Sequence, residues 1–455
     1  MSDFASSISS LSNKFSGRLL LPKDSDWDAA RRVHNGFVDK RPALVAQCLG
    51  SADIAVAVRL AREQGLEIAV RGGGHNVGGR ATVDGGVMVD LSMMKHVHVD
   101  PAARTARVAG GTLWGHFNRE TQAHGLATTG GVVSTTGVAG LTLGGGLGWL
   151  MPKHGLALDN LRSVEVVLAD GRILRVSANE HPDLFWAVRG GGGNFGVVSS
   201  FEFGLHEVGP MVTGGLIGWP VDKAREVLVH FRDLTAKATD DTMLVGALLT
   251  APDRSTKLAA MGAGFFGRPT DAEGVVQPIK LFSQPIIDMI GPIPYADLNT
   301  VFDASLPRGA RNYWKSHFCE TLSDAAIDVI VDCFTRCPSP MSQFVIEHFH
   351  GAATRVAPMD TAYALRASGF NIIVVSQWIA PSDDAANIGW ARDTYAAIQP
   401  FVGARRYVNY LDQDDAGDPV LVAAYGPNLR RLQSIKAKYD PDNVFRLNVN
   451  IPPKA

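Results

Sequence analysis

Hydrophobic positions in the first half of the chain come in short runs punctuated by glycine. Between Ser51 and Glu63, Ala, Val, Leu and Ile recur at helical spacing, and Gly65 ends the pattern. This predicts a helix over 51–63 and a strand over LEIAV, 66–70. VMVDL (87–91), HVHVD (96–100) and TARVAG (105–110) read as short strands, and a helical pattern starting near Thr112 is stopped by Gly125. SVEVVLA and RILRVS flank Asp170-Gly171, which predicts a hairpin closed by a type I′ turn. DLFWAVR (183–189) reads as a helix, and the alternating β-branched and aromatic run GVVSSFEF (196–203) as a strand. Beyond Pro210, amphipathic helical patterns over 221–237, 322–336 and 384–398 are interleaved with strand-like runs such as MLVGALLT and FNIIVVSQW. Strands and helices mixed in this way, with hairpins present, indicate an α+β fold.

Composition changes along the chain and suggests its division. The 48 glycines concentrate between Arg71 and Gly196. Residues 1–209 therefore read as a first unit with a core of about 38–208, and 210–404 as a second unit, a sheet covered by helices. The stretch 405–455, rich in Tyr, Asn, Asp and Pro, is expected to return to the first unit. Lys plus Arg number 43 against 45 Asp plus Glu, so no global basic field exists to gather nucleic acid or an anionic membrane, and small neutral substrates remain open. Cys48, Cys319, Cys333 and Cys337 form no disulfide framework and are expected to be reduced. The Ser-rich start MSDFASSISSLSNKFSG has no apolar leader segment, and no apolar run approaches the roughly 20 residues of a membrane helix. A cytoplasmic location is the expectation.

The glycine runs RGGGHNVGG, LGGGLG and RGGGGNFG carry the candidate chemistry. Gly191-x-Gly193-x-x-Gly196 has dinucleotide-fingerprint spacing, but it leads from a predicted helix into a strand, the reverse of the order a Rossmann site requires. A P-loop motif is absent. Several glycine loops together can still present backbone N–H groups to a pyrophosphate, because missing side chains let the backbone approach. A histidine, His75, sits inside the first loop.

RGGGHNVGG followed by DGGVMVDLSMM, then TTGVAGLTLGGGLGWLMPKHGLALDNL, DLFWAVRGGGGNFGVV, and YVNYLD with YDPDNVFRLNVNIPP resemble, from about Pro42 to Pro453, the vanillyl-alcohol-oxidase (PCMH-type) superfamily of FAD-linked oxidoreductases. The specific likeness is to its berberine-bridge-enzyme-like branch. The resemblance implies a PCMH-type FAD-binding unit of two small α/β subdomains, plus a substrate unit with an antiparallel sheet covered by helices. It implies FAD joined through His75 to the 8α carbon, cradled by Arg71, Gly72, Gly73, Gly74, Asn76 and Gly79. Thr135, Thr136, Gly137 and Gly140, with Gly144, Gly145 and Gly148, form the second flavin loop, and Asn194, Val198, Asn448 and Asn450 complete the site. Many members carry a second link from a cysteine; alignment on Gly137 and Gly140 places Val133 there, so a single link is expected. The residue three positions on, Thr136, falls where a bulky aliphatic side chain shields the oxygen-reactive carbon in some members.

Oxidation of an alcohol or amine carbon requires a base beside the flavin. By resemblance Tyr407 is the leading proton acceptor, with Asn409 positioning and Tyr410 in reserve; a strand whose tyrosines pack in the core is the other reading of the same residues. Leu147 stands where some members have an assisting tyrosine. His154, Tyr313, Trp314, Tyr363, Gln377 and Trp378 are candidate walls of a substrate pocket. His348 and His350 have strand spacing but no third ligand, so no metal is expected. The resulting expectation is an FAD-dependent oxidase acting on a small organic substrate, with O2 reduced to H2O2. A dehydrogenase using another acceptor, or a flavin-binding protein without turnover, are the alternatives.

Overall fold

The computed structural model describes Ile8, residues 13–251 and residues 253–454; most of the Ser-rich start read above lies outside the described residues. The helix Ser51–Glu63 forms as its spacing predicts, and Gly65 adopts φ +63°, a left-handed conformation that glycine takes without steric cost. Its apolar face covers a four-stranded sheet in the order Arg18–Leu20, Leu44–Gln47, Val87–Asp90, Ile68–Arg71, in which the last three strands run parallel. The strand Ile68–Arg71 therefore ends where the loop carrying His75 begins.

A second, antiparallel sheet of five strands follows, in the order Val97–Asp100, Thr105–Ala109, Val197–Gly204, Leu161–Val167, Ile173–Ser177. The hairpin around Asp170-Gly171 is present, but its turn is not type I′: Gly171 has φ +81° while Asp170 does not enter positive φ. Asp170 instead accepts the Arg172 N–H through its carboxylate, a local bond that fixes the turn differently. The helix Pro182–Val188 and strand Val197–Gly204 flank the third glycine loop, the helix-to-strand order that excludes a Rossmann turn.

Residues 211–378 supply a large antiparallel sheet, whose longer strands run in the order Met211–Pro220, Lys257–Phe265, Thr242–Thr250, Gln343–Phe349, Gly369–Trp378, Arg311–Cys319. Helices Ala224–Thr235, Asp324–Thr335 and Asp384–Ile398 cover one face, burying Phe231, Ile330 and Trp390 against Phe344, Ile346, Ile372 and Val374. Strand alternation sends the intervening residues, among them Val345, Glu347, Ile373 and Val375, to the opposite face. Helices Asp418–Tyr425 and Leu429–Tyr439 pack Leu421, Tyr425, Leu432 and Tyr439 into the core beneath the five-stranded sheet. All four cysteines are free. Among the described residues no helix is long and apolar enough to cross a membrane, and no cluster of His, Cys, Asp and Glu is arranged to hold a metal.

Candidate active site

The uncovered face of the large sheet looks across a deep cavity at the three glycine loops. Gly72, Gly73, Gly74, His75 and Asn76 line it from the first loop; Val132, Val133, Thr136, Gly137 and Gly140 from the second; Gly192, Gly193 and Asn194 from the third. The first two loops touch backbone to backbone: a Cβ on Gly73 would lie 2.5 Å from the Gly137 Cα. Gly140, by contrast, has open space where a Cβ would stand. Gly74, at φ +67°, turns the chain so that His75 enters the cavity wall. Asn194 ties the third loop to the chain end, donating to the Gly191 and Val449 carbonyls, and Asn448 donates to the Gly193 carbonyl at 2.9 Å.

These residues fit a bound FAD. The wall contains buried polar atoms with no protein partner, namely His75 Nε2, Asn76 Oδ1 and Arg80 Nε, beside a run of glycines that leaves backbone exposed. Unpartnered buried polar atoms are costly, and a polar ligand offsets that cost. Burial holds the His75 imidazole at a pKa of about 3, so the ring is neutral and its lone pair free.

The structure brings only part of the expected cradle to the cavity wall. Arg71 stays out of the cavity, because its guanidinium is committed to Asp90 and to the Arg32 carbonyl. Gly79 packs against Val38, Thr135 is solvent-exposed, and Val449 rather than Asn450 faces the cavity. Gly144, Gly145 and Gly148 do not line it either; they are small because other groups press on them. A Cβ would lie 2.1 Å from Asn409 Oδ1 at Gly144, 2.9 Å from the Tyr407 ring at Gly145 and 1.7 Å from the Gly130 carbonyl at Gly148.

The catalytic residues need a larger correction. Residues 408–410 form a 3-10 turn rather than a strand, so Tyr407 and Tyr410, three apart, come together edge to face at 4.9 Å. Tyr407 nevertheless does not line the cavity. Its hydroxyl accepts the Gly146 N–H at 2.9 Å and the Asn409 amide at 2.9 Å, and burial pushes its pKa up to about 12. It is a structural acceptor. Tyr407→Phe is therefore expected to leave flavin reduction within a few-fold of wild type while lowering stability by about 1–3 kcal/mol, the cost of stranding two buried donors. Thermal melts and single-turnover reduction check both halves.

Tyr410 does face the cavity, and its hydroxyl donates to Glu347 at 3.2 and 3.4 Å. Glu347 also accepts from Asn371 Nδ2 at 2.7 Å, and burial raises its pKa from 4.5 to about 7. A carboxyl poised near neutral pH and facing the cavity has the chemistry of a proton acceptor, and sequence reasoning missed it. Its signal was legible in principle, as the one carboxylate in the apolar strand QFVIEHF.

Of the expected substrate walls, Trp314 lines the cavity and the others do not. Tyr313 donates to Asp414 and receives Arg392, and Trp378 donates to Asp384, both on the helix-covered side, whereas Gln377 shares the parity of Ile373 and Val375 but is buried at the strand end, donating to Asn312. Tyr363 is packed between Gly145, Gly190 and Tyr407. His154 stacks on His206 at 3.8 Å, its pKa lowered to about 3 by burial first and His206 second. Besides Trp314, the wall consists of Val245, Phe302, Leu306, Val345, Ile373 and Val375, with Ser305, Gln343, Glu347 and Tyr410 as its polar groups.

Comparison with known proteins identifies the family. Residues 42–177 match the family described as FAD binding domain, and residues 406–452 the family described as berberine and berberine like. (R)-6-hydroxynicotine oxidase from Paenarthrobacter nicotinovorans is 30% identical over 454 residues, covering 96% of this chain and 97% of its own length. The crystal structure of 6-hydroxy-D-nicotine oxidase from Arthrobacter nicotinovorans superposes with a TM-score of 0.88 at 30% identity, covering 97% of this chain and 98% of its own. Glucooligosaccharide oxidase from Acremonium strictum, in a structure described as having 6-S-cysteinyl, 8α-N1-histidyl FAD, superposes at 0.87 with 28% identity and 99% coverage of both chains. With a PCMH-type α+β fold, a glycine-lined flavin cradle and both family signatures in place, the chain belongs to the berberine-bridge-enzyme-like family of FAD-linked oxidoreductases.

Proposed function

We propose that the protein is an oxidase that carries FAD on a single covalent link to His75 and oxidises an alcohol or amine carbon of a small, largely apolar molecule. The observation that carries this reading is the Glu347–Tyr410 pair, placed in the same cavity wall system as His75 and the glycine loops. When bound, FAD would supply the two-electron acceptor for the substrate hydride, with O2 as the final oxidant, reduced to H2O2. The protein residues handle the proton. Glu347, about half ionised near pH 7, accepts it from the substrate O–H or N–H, directly or through the Tyr410 hydroxyl. Asn371 holds one carboxylate oxygen, so the other is left to Tyr410 and the cavity.

Substrate class follows from the wall. Seven apolar side chains, Trp314 among them, against four polar ones offer few partners for a polyhydroxylated sugar, whose unpaired hydroxyls would be costly to desolvate. A flat molecule with one hydroxyl or amine suits the site better. The hydroxynicotine oxidase named above, matched in both sequence and structure, supports both the O2 reading and the substrate size.

The single link is motivated by His75 and by valine at position 133, whose side chain cannot form a thioether. After acid precipitation the yellow colour is expected to stay with the polypeptide, and peptide mass spectrometry is expected to find one flavin-bearing peptide, the one containing His75. Flavin released by acid, or a second modified peptide, refutes the single link. A peroxide-coupled screen of aromatic and alicyclic alcohols and amines against oligosaccharides tests the substrate class. Turnover of the sugars alone would overturn it.

A further inference from the structure

His75 is not alone in its buried corner. The ring of His34 lies on it with centroids 4.1 Å apart and planes 21° from parallel. Nothing in the glycine loop requires this neighbour, which comes from the segment that follows the helix Trp27–Arg31. That segment is locked on both sides. The His34 N–H donates to the Gly74 carbonyl at 2.9 Å, and the His34 carbonyl accepts the Gly309 N–H at 2.9 Å. The next residue, Asn35, donates to the Val77 and Asn312 carbonyls and accepts the Phe37 and Asn312 N–H groups. The His34 ring is thus fixed against the loop that presents His75.

Both rings leave Nε2 buried and without a partner. A histidine kept only for packing usually satisfies its ring nitrogens, and leaving a buried one unmet costs about 1–3 kcal/mol. The charges around the pair give an imidazolium no support. Arg308 faces His34 and disfavours its protonation, after burial, which is the larger cause. Asp90, on the strand behind the loop, is consumed by Arg71, Gln47 and Ser92.

We propose that His34 is a positioning residue for attachment of the flavin: its stacked ring fixes the plane of the His75 imidazole and walls it from water, so that His75 meets the flavin as an aligned, neutral nucleophile. This rests on the covalent link read above. Attachment forms a bond from a His75 ring nitrogen to the flavin 8α carbon and breaks one C–H bond there and the ring N–H. The two electrons released pass through the flavin to O2, and the two protons complete H2O2.

The test uses enzyme purified with its flavin and measures how much of that flavin acid releases. Wild type is expected to be fully linked as isolated, and so is His34→Phe, which keeps a flat ring in place. His34→Ala is expected to hold mostly acid-releasable FAD that becomes acid-stable on aerobic incubation, at a rate lowered about ten- to hundredfold by the lost alignment. That conversion is also expected to acquire a pH dependence. With water beside it, His75 returns toward its ordinary pKa of 6.5, and the neutral, reactive fraction grows about tenfold from pH 5.5 to pH 8. If His34→Ala does not accumulate, His34→Leu, which fills the space without a ring, takes its place. Fully linked flavin in the Ala variant, slow conversion that ignores pH, or a Phe variant as deficient as Ala overturns the proposal. Wild type without linked flavin overturns the underlying reading instead, so the two failures are distinct.

Discussion

Glu347→Gln is expected to slow reduction of the bound flavin by about 10²- to 10⁴-fold, the range for loss of a general base. The change keeps the shape of the side chain and its place opposite Asn371. Stopped-flow mixing under anaerobic conditions, with any substrate that bleaches the wild-type flavin, gives the rate. The pH profile identifies the group. In wild type the carboxylate is the active form, so the reduction rate should rise with pH through about 7 and level off above it. In Glu347→Gln that step should vanish. Tyr410→Phe should move the wild-type step upward, because the tyrosine hydroxyl stabilises the ionised carboxylate and its removal raises the Glu347 pKa further.

Stability separates this result from damage to the fold. Burial favours the neutral acid, so the folded pKa lies above the unfolded one. The stability that Glu347 contributes is fully present below about 4.5 and is lost as pH rises through about 7. Glutamine has no such penalty. Glu347→Gln should therefore melt higher than wild type at pH 8, with the difference shrinking toward pH 5. An inactive variant that melts lower at pH 8 would point to lost packing rather than a lost base, and an unchanged reduction rate would move proton transfer away from Glu347 altogether.

What the sequence made legible, and what it hid, follows from the kinds of information each element carries. Ser51–Glu63 and the hairpin around Gly171 are local: spacing, a stop signal and a positive-φ residue suffice to find them. His75 stood out because a histidine among glycines has no core-packing role of its own. The walls of the substrate cavity are not local. On the strand Arg311–Cys319, Tyr313 and Trp314 are adjacent and point to opposite faces, and only the pairing of that strand in the large sheet decides which one meets the cavity. The same parity places Glu347 in the cavity and His348 on the other side of its strand, against Phe370. At Tyr407 the missing knowledge was a 3-10 turn in place of a strand, which changes the spacing at which side chains meet from two to three. His34 was hidden because its neighbour lies 41 positions away and no periodic signal links them.

The second large effect concerns the electron acceptor. Thr136 lines the cavity beside Val133, Gly137 and Leu141, in the loop where the family resemblance places the second, cysteine link. Its backbone is fixed, with its carbonyl accepting the Trp114 N–H at 2.9 Å and its N–H donating to the Val133 carbonyl at 3.1 Å, so the loop does not slide to close the space. A Cβ on neighbouring Gly131 would already meet Leu141 at 3.1 Å and Thr136 at 3.4 Å, which shows how little room separates these side chains. Threonine, being shorter, leaves more room for a diatomic molecule than leucine would. Leucine there adds methyl groups that O2 must push aside, and crowding of that kind costs about 1–3 kcal/mol, which at 1.36 kcal/mol per tenfold corresponds to reoxidation slowed by about ten- to hundredfold. Photoreduced wild-type enzyme mixed with aerated buffer should reoxidise rapidly, and Thr136→Leu should lose most of that rate while its reduction by substrate is unchanged, because the Glu347–Tyr410 pair is untouched. Sluggish reoxidation of wild type, with quinones or dyes working well, would make the enzyme a dehydrogenase. Fast wild-type reoxidation that Thr136→Leu leaves intact would keep the oxidase and move the oxygen path, with Leu141 and Leu147, which line the same cavity, the next side chains to vary.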